Sequence, residues 1–126
     1  KFINRYLIYL DSMHHHSRHH HHIRLPMRGL LHIAILSILR DREVHGAEIG
    51  RLLEDRYNIV VPRAMVYGLL RRMERHGFVS SKWSVEGSGP ARRVYRITEE
   101  GLDYLEDYLR RLRRVKSLIE RLISEG

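Results

Sequence analysis

"VPRAMVYGLLRRMERHGFVSSKWSVEGSGPARRVYRITEEG", residues 61–101, changes its period halfway along. In the first half Val66, Leu69, Leu70 and Met73 recur at helical spacing, which predicts a helix. Pro62 suits its first turn, where a missing N–H costs nothing. His76-Gly77 ends it, the glycine taking the left-handed position just past the last turn. The second half holds two short runs rich in β-formers, Phe78–Val85 and Val94–Ile97, flanking a Gly-Ser-Gly-Pro loop at 87–90. A helix therefore runs into a hairpin with a polar, glycine-rich tip, and Arg92 and Arg93 stand on its return side.

Upstream, Leu30–Leu39 is apolar almost throughout, broken by His32 and Ser37 and ended by Arg40-Asp41-Arg42. A helix apolar on most sides belongs in the middle of a domain. His45-Gly46 opens a second helix, with Ala47, Ile49, Leu52, Leu53 and Tyr57 on its rhythm. "YNIVVP" reads as an extended linker, Val61 being steered from the helical region by Pro62. Downstream, Thr98 caps a last helix whose first turn carries Glu99 and Glu100, where the helix dipole favours negative charge. Leu102, Leu105, Leu109, Leu112 and Ile119 then recur at heptad-like spacing, with Tyr108, Val115, Leu118 and Leu122 beside them. The order helix, helix, helix, hairpin, long helix predicts a mainly α fold with a small β-hairpin: a winged helix-turn-helix with a long C-terminal helix. The hairpin is the wing, and its glycines let backbone approach a phosphate strand closely. Three regions follow: an N-terminal extension (1–26), the winged helix-turn-helix (27–97) and a C-terminal dimerisation helix (98–126).

The extension places Phe2, Ile3, Tyr6, Leu7 and Leu10 at the spacing of a short amphipathic helix. "MHHHSRHHHH" follows it. A histidine run can bind metal, but no anchored ligands accompany this one. It reads as a tag or incidental low complexity, and no metal and no cofactor are assigned.

Composition limits the partners. The 126 residues carry 23 Lys+Arg against 15 Asp+Glu, a net charge of +8 with histidine neutral. Such an excess favours nucleic acid or an acidic membrane surface. The longest apolar run, about ten residues, is too short to cross a bilayer, and with no convincing signal peptide a cytoplasmic location is expected. Cysteine is absent, which excludes disulfides and thiolate metal sites. Glutamine is also absent, asparagine occurs only at Asn4 and Asn58, and arginine far outnumbers lysine; this profile suits a thermophile protein or a GC-rich genome.

"MRGLLHIAILSIL", "HGAEI", "VYGLLRRMERHGFV" and "GPARRVYRITEEG", in this order and spacing, resemble the PadR family of transcriptional regulators. The likeness spans Met27 to about Ile123. It implies a homodimer in which each chain supplies a winged-helix DNA-binding domain and the C-terminal helix makes much of the contact. It also implies regulation of transcription, usually repression of stress, detoxification or efflux genes, in some members with release by a small aromatic effector. Carried over by position, Tyr67 is the tyrosine of the recognition helix that faces the DNA backbone, and Arg92-Arg93 follow the wing's Gly-Pro. Ala64-Met65 replaces the usual Gly-Thr pair, and Gly68 stands where a proline is common, so the operator sequence does not carry over.

The third helix is expected to enter the major groove of double-stranded DNA, where each base pair shows a different pattern. Arg63, Ala64, Tyr67, Gly68 and Arg71 are its candidate reading residues. Arg63 and Arg71 are suited to bidentate bonds with guanine, and Ala64 to a thymine methyl. Tyr67 is placed on a phosphate or, alternatively, half in the core. Arg72, Arg75 and Lys82 are candidate phosphate contacts, and Ser88, Gly89, Arg92 and Arg93 candidate wing contacts. His45 and His76 read as helix-terminal structural residues, and Trp83 as packing across the hairpin. Leu102, Leu105, Tyr108, Leu109, Leu112, Val115, Ile119 and Leu122 form the expected dimer ridge, which a two-fold pair bound to a palindromic operator would use. Acidic residues early in that helix and basic ones late favour an antiparallel pair or simply complement the helix dipole.

An enzyme is not expected: the globular part has no metal-ligand cluster, no phosphate loop and no nucleophile beside a base. A winged helix serving only as a protein-interaction module would want an apolar or acidic third helix. A nonspecific architectural DNA binder is separated from a specific one by its salt-dependent, sequence-blind affinity.

Overall fold

A computed structural model describes residues 29–126 apart from Glu86 and Ser88. The expected amphipathic segment and histidine run lie outside the described residues. Helix α1 (Leu30–Asp41) is followed by strand β1 (Val44–His45), α2 (Gly46–Tyr57), α3 (Arg63–Arg75), β2 (Val79–Ser84), β3 (Arg92–Ile97) and α4 (Glu99–Glu125). The strands form one antiparallel sheet in the order β1-β3-β2. This is the mainly helical winged-helix fold expected from the sequence.

Helix α1 is the hub. Ile35, Leu36, Ile38 and Leu39 are fully enclosed, because the helix is covered by α2 on one side and by α4 and the sheet on the others. Ile49 and Leu53 of α2, Val66, Leu69, Leu70 and Met73 of α3, and Leu105 of α4 complete one core. Strand β1 is an addition to the sequence reading. Two residues are too few to show alternation, and only pairing of Val44 with Tyr95 and His45 with Val94 makes them a strand.

Several residues of the quoted motifs interlock. Gly77 has φ +83, and the amides of Gly77 and Phe78 donate back to the carbonyls of Glu74 and Met73, closing α3 in a Schellman turn. The Thr98 hydroxyl accepts from the Gly101 amide at 3.0 Å and donates to the Gly77 carbonyl at 2.6 Å. One side chain thus caps α4 and ties it to the end of α3. A β-carbon on Gly101 would collide with the Phe78 carbonyl, so glycine there lets α4 start hard against the α3–β2 turn.

Candidate nucleic-acid interface

Chain geometry fixes the attitude of α3. Asn58 adopts the left-handed conformation (φ 56) and ends α2, a position asparagine tolerates better than most residues. Residues 59–61 are neither helix nor strand, and the Ile59 amide donates back to the Leu53 carbonyl at 3.2 Å. Pro62 then takes the N-cap, one residue earlier than the first-turn position expected, and its carbonyl receives the Met65 and Val66 amides. The buried stripe of α3 turns its other side outward.

The structure sorts the expected reading residues onto different faces. Ala64, Arg71 and Arg75 are exposed, and Gly68, half-buried, lies in the row between them. Arg63 and Tyr67 lie on the flank towards α2, lining a recess with Gly50, Arg51 and Glu54. Tyr67 is half-buried and packs on the core. This is the half-in-core placement, with its ring beside Gly46, where a β-carbon would lie 3.0 Å from it. Arg72 lies apart from this set. It lines a separate pocket with His32, Met73, His76, Phe78, Tyr104 and Tyr108, because one residue beyond Arg71 is a 100° turn around the helix. Burial holds the His32 imidazole down to about 4, helped by the positive charge of Arg72 and by His76. The His76 ring stands 2.8 Å from the Arg72 carbonyl through Nδ1.

On the wing, strand pairing sets the faces. Ser81, Trp83, Arg93 and Tyr95 share one face, with Ser81 opposite Tyr95 and Trp83 opposite Arg93. Lys82 alternates to the other face, which Ser84 and its partner Arg92 share, and unlike Arg92 it does not line the cleft beside α3. Arg92 and Arg93 belong to β3 itself rather than to its approach. Gly89 is exposed beside Pro90 and Arg92; Ser88 lies outside the described residues.

Between α3 and the wing runs a cleft of about 790 Å³, lined by Tyr67, Arg71 and Glu74 on one side and Trp83, Arg92 and Arg93 on the other, with Tyr95 and His45 also bordering it. Arg63, Arg71, Arg75 and Arg92 make no ion pair among the described residues, whereas Arg51, Arg56 and Arg110 are each bonded to an aspartate. Among the described residues Glu74 is the one carboxylate lining the cleft. It accepts from Ser81 Oγ at 2.8 Å, and Ser81 accepts in turn from Arg93 Nε at 3.0 Å. The Arg93 guanidinium lies over the Trp83 ring at 5.0 Å. Trp83 is 62% exposed and borders the cleft, its ring covered by its cross-strand partner Arg93. Burial raises the Tyr95 phenol above its ordinary range. The link between Glu74 and Ser81 is not legible in the sequence, since nothing in residue type or spacing pairs a helix carboxylate with a strand hydroxyl seven residues on.

The expected dimer ridge divides. Leu105 and Tyr108 are enclosed by their own chain and offer no surface to a partner. The cause is α1, against which the first turns of α4 pack. Leu102, Leu109, Leu112 and Val115 are half-buried. Ile119 and Leu122 are exposed, together with Leu118 and Ile123, because α4, 27 residues and about 40 Å long, outruns the domain.

Fold and site define a winged-helix protein of the transcription-regulator type. The chain belongs to the PadR-like family of transcriptional regulators, whose sequence model matches residues 35–107. A provisionally described transcriptional regulator of Thermoplasma acidophilum is 33% identical, over 76% of this chain and 92% of its own, with a TM-score of 0.67. A PadR family regulator of Clostridium difficile is 30% identical over 72% and 95%, also at 0.67. Bacillus subtilis PadR, solved in complex with operator DNA, shares the fold at 24% identity and a TM-score of 0.59, over 64% of this chain and 46% of its own. Among the described residues no helix is long and apolar enough to cross a membrane, and no group of three or more potential metal ligands occurs.

Proposed function

We propose that this protein is a sequence-specific, double-stranded DNA-binding regulator that acts in the cytoplasm as a homodimer on a palindromic operator, repressing transcription until a small aromatic effector releases it. One observation carries the reading. Arg71 of α3 and Arg92 of the wing, neither held in an ion pair, line a single cleft whose only carboxylate among the described residues, Glu74, is already bonded to Ser81. Clustered cations on one face are the footprint of a phosphate backbone, and the outward row Ala64, Gly68, Arg71, Arg75 lies on a helix, an element the major groove admits. Arg63 and Tyr67 then serve the groove edge, Arg92 and Gly89 the adjacent backbone, and Lys82 only DNA that bends round the wing. Operator DNA bound by Bacillus subtilis PadR supports the same use of this fold.

The dimer reading rests on α4. Its exposed apolar stripe needs a cover, which an antiparallel partner helix would supply. Centred near Leu112, such a pair sets Arg121 against Asp103 and Leu122 against Leu102. The effector reading is supported by the aromatic pocket of about 420 Å³ beside α4, walled by Phe78, Tyr104 and Tyr108, a volume within the usual ligand range. The glutamine-free, arginine-rich composition supports a thermophilic source.

Selection of genomic fragments by the purified protein, its own promoter included, tests the proposal. A few fragments should bind at least about 10³-fold tighter than random DNA. Equal, strongly salt-dependent affinity for every fragment would establish an architectural binder instead, and no DNA affinity would leave an interaction module.

A further inference from the structure

Glu74 sits on the recognition helix facing the place assigned to a polyanion, where a bare carboxylate would repel phosphate. The structure keeps it occupied. Ser81 Oγ, on the wing, donates to it at 2.8 Å and accepts from Arg93 Nε at 3.0 Å. A hydroxyl is the smallest side-chain group able to do both at once. Arg93 is clamped a second time, by the indole beneath it. The bonds are partly buried and join α3 to both strands of the hairpin.

We propose that Glu74, Ser81 and Arg93, braced by Trp83, are positioning residues that lock the wing to the recognition helix, so that the two meet DNA as one rigid head. Arg93 is thereby reassigned from a backbone contact to a strut, and Arg92 keeps the contact. The inference rests on the DNA-binding reading for its purpose, but the strut itself is testable without DNA. Trp83 is the only tryptophan, so its fluorescence reports on the wing alone.

Time-resolved anisotropy of Trp83 in the free protein is compared among wild type, Ser81→Ala and Ser81→Thr, alongside thermal unfolding to confirm that each folds. Ser81→Ala should free the indole to move on the nanosecond scale, and Ser81→Thr, which keeps the hydroxyl, should hold it as wild type does. On a selected operator fragment Ser81→Ala should bind about tenfold weaker, with an unchanged slope of log affinity against log salt, because no phosphate contact is lost. Ser81→Thr should restore the affinity. Equal Trp83 mobility in all three proteins overturns the strut. Freed mobility with unchanged affinity, or a salt slope reduced by about one, overturns its positioning role. If wild type shows no preference among DNA sequences, the DNA-binding reading fails, while the Trp83 comparison still decides whether the lock exists.

Discussion

Gly68 is an odd residue for the interior of a helix. A β-carbon there would meet nothing within 4 Å, so packing within the chain gives no reason for glycine. Glycine costs a helix about 1 kcal/mol relative to alanine. Gly68→Ala should therefore stabilise the folded domain by about 0.5–1 kcal/mol, raising Tm by about 2–8 °C for a domain of this size. On DNA the sign reverses. Gly68 lies in one row with Ala64, Arg71 and Arg75, and an added methyl would hold that row off the groove floor. A bidentate base contact is worth about 1–3 kcal/mol, so losing the register of one such contact should weaken operator binding about 5- to 150-fold. Thermal unfolding and an anisotropy titration against operator and random duplex, at one fixed salt concentration, measure both effects. A raised Tm with unchanged operator affinity would refute the placement of Gly68 in the groove; a lowered Tm would refute the open surroundings on which the argument rests.

Arg71→Ala should relax preference at one operator position by about 1–3 kcal/mol, whereas Arg92→Ala should weaken all sequences alike and flatten the salt slope by about one; identical behaviour on operator and random DNA would contradict this division. Gly101→Ala forces a methyl onto the Phe78 carbonyl and within 2.9 Å of Ile97, and should cost at least about 2 kcal/mol in a urea titration, while Gly50→Ala, with open space around it, should be neutral or stabilising. Leu122→Glu on the exposed end of α4 should turn the proposed dimer into a monomer by sedimentation without lowering the domain's own unfolding temperature. His32, held down to about 4 by burial, stays neutral in the fold while the unfolded chain takes up a proton near 6.5; stability should therefore fall as pH drops from about 6.5 towards 4, and His32→Asn should flatten that part of the profile.

The helices and the hairpin were legible because each is a local matter. Apolar period, Pro62, Gly77 and Thr98 act within a few residues, and they set α3, its end and the start of α4 within one or two positions. Strand β1 was not legible, because two residues carry no period and the pairing partner lies fifty residues away. The cationic face was visible as composition, but its membership was not. Arg71 and Arg72 are alike in sequence, and only the direction in which α3 packs sends one to the cleft and the other to the His32 pocket.

The same holds for the long helix, whose single continuous ridge in sequence is split by α1 into Leu105 and Tyr108, which it covers, and Ile119 and Leu122, which it leaves bare. By itself the sequence determined which segments are helix or strand and that the chain is cationic, since side-chain periodicity and charge are properties of neighbours along the chain. Tertiary packing alone decided which arginines stand together, what Glu74 and Trp83 touch, and which part of α4 remains for another molecule, because those depend on the faces that distant segments cover.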